Sequence, residues 1–121
     1  MIKKEEALKI KTGFTPYPMS YLLSTNKYFE TGVEDKDLDF SNTDEPIFDH
    51  YQYVIEAGEG CDFKKGDKLL LDLEQFLQRR ENPNNRAEVL QTLEFSTVEI
   101  EDVNYIMVDA SRRFIKGKME D

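Results

Sequence analysis

Short apolar runs separated by turn-forming residues recur along the chain, and this pattern predicts a mainly β protein. Apolar and polar residues alternate over residues 51–57, so we expect a strand with a wetter face formed by Gln52, Val54 and Glu56. The sequence "KLLLD" predicts another strand. Further strands are predicted at residues 18–24, in "STVEIE" and "VNYIMVD" with a hairpin turn at Glu101-Asp102, and near "RFIKGKM". Many short strands and few helices favour a small open or closed β-barrel.

Residues 72–95 change from the strand period to a helical one. Leu73, Phe76 and Leu77 have the i, i+3, i+4 spacing of one helix face, and Asp72 can cap the first turn. A turn follows at "NPNN", and a second short helix is predicted in "VLQTLEF". We therefore expect a partly helical insertion over residues 72–95.

The N-terminal residues 1–13 place Ile2, Leu8 and Ile10 among charged residues, with Gly13 positioned to end a helix. Two interpretations stay open, a short helix or an arm that lies on a neighbour. With 121 residues and 14.2 kDa, the whole chain (1–121) is expected to form a single domain.

The net charge of −9 and the pI of about 4.7 limit the possible partners. Nucleic-acid binding needs lysine and arginine clustered on one face, so we expect no nucleic-acid partner. The same acidity disfavours anionic membrane surfaces. No apolar run approaches the roughly 20 residues of a membrane span. We expect protein partners and self-association instead.

Residues 30–50 form a long acidic stretch. It contains eight acidic residues and the single base Lys36. Such a segment cannot bury much apolar surface, so we expect a solvated loop that a protein partner can order.

The acidic stretch contains a partial calcium-loop pattern. Asp35, Asp37 and Asp39 occupy alternate positions from which oxygen ligands can surround a hard cation. However, Phe40 stands where such a loop needs glycine, and Pro46 stands where it needs a bidentate glutamate. We therefore interpret the stretch as an ordinary acidic loop and expect no metal site.

Four residues after the predicted strand at 51–57 have turn chemistry. Gly58 and Gly60 lack the Gly-x-Gly-x-x-Gly spacing of a dinucleotide loop, and their acidic neighbours would repel phosphates. We interpret both as positions of positive φ that reverse the chain, and Gly66 and Asp67 as a second turn. No cofactor is expected.

The sequence contains no residue set that points to a reaction. His50 is the only histidine and Cys61 the only cysteine, so neither a two-imidazole metal site nor an internal disulfide can form. A Cys61–His50 nucleophile would also need a third orienting group. We expect a protein that is not an enzyme, in a reducing, cytoplasmic setting.

Two groups of residues leave alternatives open. The pairs Arg79-Arg80 and Arg112-Arg113 suit either solvated surface or salt bridges across an interface. The aromatic residues near the N-terminal strand suit either core packing or a contact surface: Tyr17, Tyr21, Tyr28 and Phe29.

The stretch "VIEAGEGCDFKKGDKLLLD" resembles the co-chaperonin (GroES) family. In that family a strand runs into a Gly-x-Gly turn and a Lys-x-Gly-Asp corner before the next strand. The tail "FSTVEIEDVNYIMVDASRRFIKGKM" is similar to the family's ending, and together the two stretches cover about half of the chain. The resemblance implies a GroES-like β-barrel that caps a chaperonin ring through a loop.

The chain departs from the family at three places. Residues 72 to about 91 look like an insertion where the family has a short hairpin, and the N-terminal strand matches weakly. The family's loop carries an aliphatic tripeptide, whereas the acidic loop here offers only Val33, Leu38 and Phe40 as apolar contact residues.

Divergent chains of this type are typical of bacteriophages, which leaves two functional hypotheses. The first is a phage-type co-chaperonin in the host cytoplasm. The alternative is a virion structural protein, such as a capsid-decorating or joining protein, that reuses the barrel.

Overall fold

The structure is a computed structural model that describes residues 1–28, 47–82 and 85–120, with the backbone alone for residues 79–82 and 85–91. Its elements in chain order are helix α1 (Lys4–Lys9) and strands β1 (Ser20–Leu23), β2 (Lys27–Tyr28), β3 (Ile47–Phe48), β4 (Tyr51–Ala57), β5 (Lys68–Leu71), β6 (Leu77–Asn82), β7 (Asn85–Leu93), β8 (Ser96–Ile100), β9 (Val103–Asp109) and β10 (Ile115–Met119), with a 3₁₀ turn at Leu73–Phe76 between β5 and β6.

Six strands form one sheet in the order β10-β5-β4-β1-β9-β8, and every neighbouring pair is antiparallel. The mainly β prediction is confirmed, and the strands predicted in the opening stretch and the tail are present. A closed GroES-like barrel is not confirmed, because β8 and β10 are the two ends of an open sheet. Two small ladders, β2–β3 and β6–β7, stand beside this sheet.

Both faces of the sheet are covered. On one face Tyr21, Val54 and Leu69 belong to the larger apolar cluster, and on the other Ile55 packs in a second cluster with Ala7 of α1. The prediction of a wetter face on β4 was therefore wrong: Gln52 and Val54 are both fully buried. The alternation in the sequence separates two buried faces here, because the larger cluster covers the face of Val54 and α1 lies on the opposite face, with Ile55.

Polar contacts at both ends fasten the N-terminal segment to the sheet. The Ile2 N–H donates to Asn26 Oδ1 at 2.8 Å, and Asn26 Nδ2 donates back to the Ile2 carbonyl at 2.8 Å. At the other end Lys65 Nζ donates to the carbonyls of Ile10 and Ile55. The segment thus lies as a short helix on the protein's own sheet.

The prediction of a partly helical insertion over 72–95 was wrong. Only Leu73–Phe76 forms a 3₁₀ turn, and β6 and β7 then form an antiparallel hairpin. The apolar spacing at Leu73, Phe76 and Leu77 covers a single turn, and "QRREN" supplies no further apolar position to extend the helix face. Helices so short are unstable without packing. Phe76 instead packs at a tilt against Phe95 and Phe114, with ring centroids 4.7 and 5.1 Å apart.

The hairpin between β8 and β9 turns at Glu101 and Asp102, as predicted. Both residues have positive φ, 51° and 65°, which is the geometry of a two-residue type I′ turn. Glycine is preferred at the second position of such a turn. We expect Asp102→Gly to raise the free energy of unfolding by about 1 kcal/mol.

Urea denaturation measures this change. Asp109→Gly at the end of β9 is the matched control, and we expect it to lower stability because glycine weakens a strand. Equal effects of both substitutions would contradict the type I′ assignment.

Candidate interaction surfaces

The turn at Gly58 and Gly60 packs backbone against backbone. The Gly58 N–H donates to the Ser20 carbonyl at 2.8 Å, and a Cβ on Gly58 would lie 2.1 Å from the Tyr17 carbonyl oxygen. Gly60 has φ +83°, as predicted. The prediction of positive φ at Gly58 was wrong, because its backbone lies outside the left-handed region. Close approach of the chain explains the glycine at that position.

The second turn is held by the Asp67 carboxylate. The Lys64 N–H donates to Asp67 Oδ2 at 3.0 Å, and Lys118 Nζ lies 3.5 Å from Asp67 Oδ1. Gly66 has φ +91° and donates its N–H to the Val54 carbonyl at 2.9 Å. The carboxylate is thus engaged in fixing the corner between β4 and β5.

The β2–β3 ladder, which we call the loop base, flanks the stretch predicted to be an acidic loop. Lys27 pairs with Phe48 and Tyr28 with Ile47, so these two strands lie side by side. The prediction of a loop over the whole of residues 30–50 was wrong at its end, where Ile47–Phe48 forms β3. Below this ladder the Asp49 N–H donates to the Asn26 carbonyl at 3.0 Å.

A buried amide supports this base. Gln52 Oε1 accepts hydrogen bonds from the Ser24 hydroxyl and the Asn26 N–H, both at 2.7 Å. Its Nε2 donates to the carbonyls of Asn26 and Asp49, both at 2.9 Å. The Ser24 hydroxyl in turn accepts from the Tyr53 N–H at 2.8 Å. Gln52 therefore ties β1 and β4 to both sides of the loop base.

The predicted contact residues of the loop, Val33, Leu38 and Phe40, lie outside the described residues. The same holds for the calcium-type aspartates Asp35, Asp37 and Asp39. Partner binding by this loop and the expected lack of a metal site in it both stay predictions.

One cavity of about 420 Å³ opens between the Gly58–Gly60 turn and the β9–β10 connection, lined by Met19, Tyr21, Phe63, Arg112 and Lys116 among others. The Tyr21 hydroxyl at its wall accepts a hydrogen bond from the Phe63 N–H at 3.1 Å. Burial raises the pKa of Tyr21, so its hydroxyl is protonated at neutral pH. The wall of the cavity thus combines apolar side chains with the charged residues Asp62, Arg112 and Lys116.

A second cavity of about 510 Å³ lies beside the loop base, where Phe48 and Phe95 stack with ring centroids 4.6 Å apart. Thr25, Lys27 and Thr97 contribute polar atoms to its wall. Lys27 of β2 and Phe48 of β3 are both lining residues, so this depression adjoins the β2–β3 ladder.

The two reactive candidates from the sequence lie far apart. His50 lies just before β4, and Cys61 lies beyond the other end of this strand. The seven residues of β4 span roughly 20 Å. Cys61 Sγ donates to the Ser20 carbonyl at 3.4 Å. His50 and Cys61 therefore do not form a dyad.

Among the described residues, no three His, Cys, Asp or Glu side chains come together as a possible metal site. Within the same residues, no helix has the length and apolar character needed to cross a membrane.

The aromatic and arginine candidates divide between core and surface. Tyr21 is buried, whereas Tyr17 is 80% exposed and Tyr28 lies at the loop base. Arg112 and Arg113 are exposed beside β10, and Arg113 Nε donates to Gln75 Oε1 at 3.0 Å. Phe29 and the side chains of Arg79 and Arg80 lie outside the described part of the chain.

Comparison of the chain with protein-family models, curated proteins and solved structures finds no match.

Proposed function

We propose that the chain is a non-enzymatic protein–protein interaction module, resembling a phage-type co-chaperonin, which self-associates and caps a chaperonin ring through its acidic loop. The observation that carries the proposal is the loop base. Two short strands, β2 and β3, hold the ends of an acidic segment together on a rigid body. A segment presented in this way suits docking to a partner protein.

The construction of the base supports a role for the loop in which its position matters. The Gln52 side chain makes all four of its possible hydrogen bonds with residues next to the loop base, namely Ser24, Asn26 and Asp49. A buried polar residue with every bond satisfied specifies one geometry. The stacked pair of Phe48 and Phe95 adds an apolar surface at the same place.

The strand-built body also supports the proposal. The stretch that resembles the co-chaperonin family forms strand, glycine turn, Gly-Asp corner and strand in the expected order. A hairpin, β6–β7, occupies the region that the sequence pattern had assigned to helix. That change removes one of the three departures from the family, which has a short hairpin there.

Co-purification with a chaperonin in the presence of ATP tests the proposal. We expect an ATP-dependent complex for the natural sequence and a loss of binding of about 5- to 150-fold for the double variant Leu38→Ser/Phe40→Ser, because removing two apolar anchors costs roughly 1–3 kcal/mol. Tyr17→Ser removes an exposed aromatic side chain outside the predicted loop and is the matched control, with unchanged binding expected.

A chain that forms no chaperonin complex under these conditions would contradict the proposal. If mass spectrometry then found the chain in stoichiometric amounts in virions, the virion structural role would replace it.

A further inference from the structure

The two ends of the six-stranded sheet differ in their charge. The β10 end carries Arg112, Arg113, Lys116 and Lys118, of which Lys118 is paired with Asp67, followed by Glu120. The β8 end carries Glu99, Glu101 and Asp102. In a protein of net charge −9, the basic residues at β10 are therefore a local exception.

Neither end has a strand partner on its outer side within the part of the chain that the structure describes. Among the described residues, β8 is hydrogen-bonded only to β9 and β10 only to β5. A free strand edge presents unpaired N–H and C=O groups to any strand that approaches it. Opposite charges on two such edges favour their mutual approach and disfavour pairing of like edges.

The strand directions allow a second copy to continue the sheet. Six antiparallel strands alternate in direction, so β10 and β8 of one copy run in opposite directions. If a neighbouring copy extends the sheet with its strands in the same orientation, its β10 lies antiparallel to the first copy's β8. The contact would then repeat the pairing type found throughout the sheet.

The backbone groups available on β8 can be assigned from the hairpin. In a type I′ hairpin the residues that flank the turn, Ile100 and Val103, form a hydrogen-bonded pair, and such pairs alternate along the ladder. Val98 therefore bonds to Tyr105 of β9. The N–H and C=O groups of Thr97 and Glu99 point toward the free edge.

We infer that the basic β10 edge of one copy pairs antiparallel with the acidic β8 edge of the next. This contact joins two different surfaces, so it propagates from copy to copy and forms a ring when the rotation between copies closes. The inference deepens the self-association in the proposed function and does not depend on the chaperonin.

Charge reversal on each edge tests the pairing, with sedimentation velocity as the readout. Lys116→Glu makes the β10 edge less basic and Glu99→Lys makes the β8 edge less acidic, so each variant loses part of the charge complementarity between the two edges, and we expect each to associate roughly tenfold more weakly than the natural sequence. Mixing the two variants restores association, because the unchanged β8 edge of the Lys116→Glu chain can then pair with the unchanged β10 edge of the Glu99→Lys chain. The double variant Lys116→Glu/Glu99→Lys also associates with itself.

Blocking the backbone of β8 is an independent test. Thr97→Pro removes an N–H that points away from β9, so the fold is retained while edge pairing is lost. Thr97→Val keeps the N–H and is the matched control. Circular dichroism and thermal unfolding of both variants establish that they are folded.

The outcomes separate this inference from the proposed function. An oligomer that survives both charge reversal and Thr97→Pro would overturn the edge contact and leave chaperonin capping in place. An oligomer that responds as expected, from a chain that binds no chaperonin, would retain the edge contact and overturn the capping function. A natural chain that is monomeric at all concentrations would overturn both.

Discussion

Replacing Gln52 by leucine is expected to lower the free energy of unfolding by about 4 kcal/mol. The side chain is fully buried and makes four hydrogen bonds, with Ser24, Asn26 and Asp49 as partners. Leucine fills a similar volume but removes the partner of the Ser24 hydroxyl, the Asn26 N–H and the carbonyls of Asn26 and Asp49, of which only the Asn26 carbonyl still accepts another hydrogen bond, from the Asp49 N–H. Each unsatisfied buried group costs about 1–3 kcal/mol, and partial relaxation keeps the sum below the maximum.

Thermal and urea unfolding measure this loss, which corresponds to a fall in Tm of roughly 15 °C for a chain of this size. Gln78→Leu is the matched control, because Gln78 is exposed on β6. We expect that control to change stability by less than about 0.5 kcal/mol. Similar losses for both variants would show that Gln52 does not hold the loop base as described.

Replacing Gly58 by alanine is expected to cost about 3 kcal/mol or more. The added Cβ would lie 2.1 Å from the Tyr17 carbonyl oxygen and 3.0 Å from that of Ser20. Both obstacles are backbone atoms, so no side-chain rotation relieves the clash. The turn must separate from the chain at residues 17–20, and the Gly58–Ser20 hydrogen bond of 2.8 Å is lost with it.

Gly13→Ala distinguishes this steric effect from backbone preference. Gly13 has φ +69° but no atom within 4 Å of its would-be Cβ, so we expect only the left-handed penalty of about 1 kcal/mol. Comparing the urea midpoints of both variants measures the difference. A larger loss at Gly13 than at Gly58 would contradict the close packing of the turn.

The strands of the sheet could be predicted where local pattern and turn chemistry agree. Residues 51–57 alternate and are bounded by glycine, and β4 has these bounds. Glu101 and Asp102 separate two apolar runs, and the β8–β9 hairpin turns at this point. At these sites the information that determines the structure lies within a few residues.

The sequence predicted less well where distant segments decide the structure. The helical spacing at Leu73, Phe76 and Leu77 was genuine but ended after one turn, and pairing between β6 and β7 prevailed. The burial of Gln52 depends on Asn26 and Asp49, which lie 26 and 3 residues away. A polar residue inside the apolar run "YQYVI" was the available signal, since burial of glutamine requires hydrogen-bond partners.

The candidate surfaces follow the same rule. The acidic composition of residues 30–50 indicated a loop, but only the pairing of β2 with β3 locates its base. The basic and acidic residues near the C-terminus looked like ordinary charged surface. The sheet order places them at opposite edges, and that arrangement is not visible in local sequence.

The central claim is that this chain works by contact, as a strand-built subunit of a closed assembly. Native mass spectrometry of the natural sequence at several concentrations tests that claim most directly. The account predicts one dominant species whose mass is a fixed multiple of 14.2 kDa. A spectrum containing only the 14.2 kDa monomer at every concentration would contradict it.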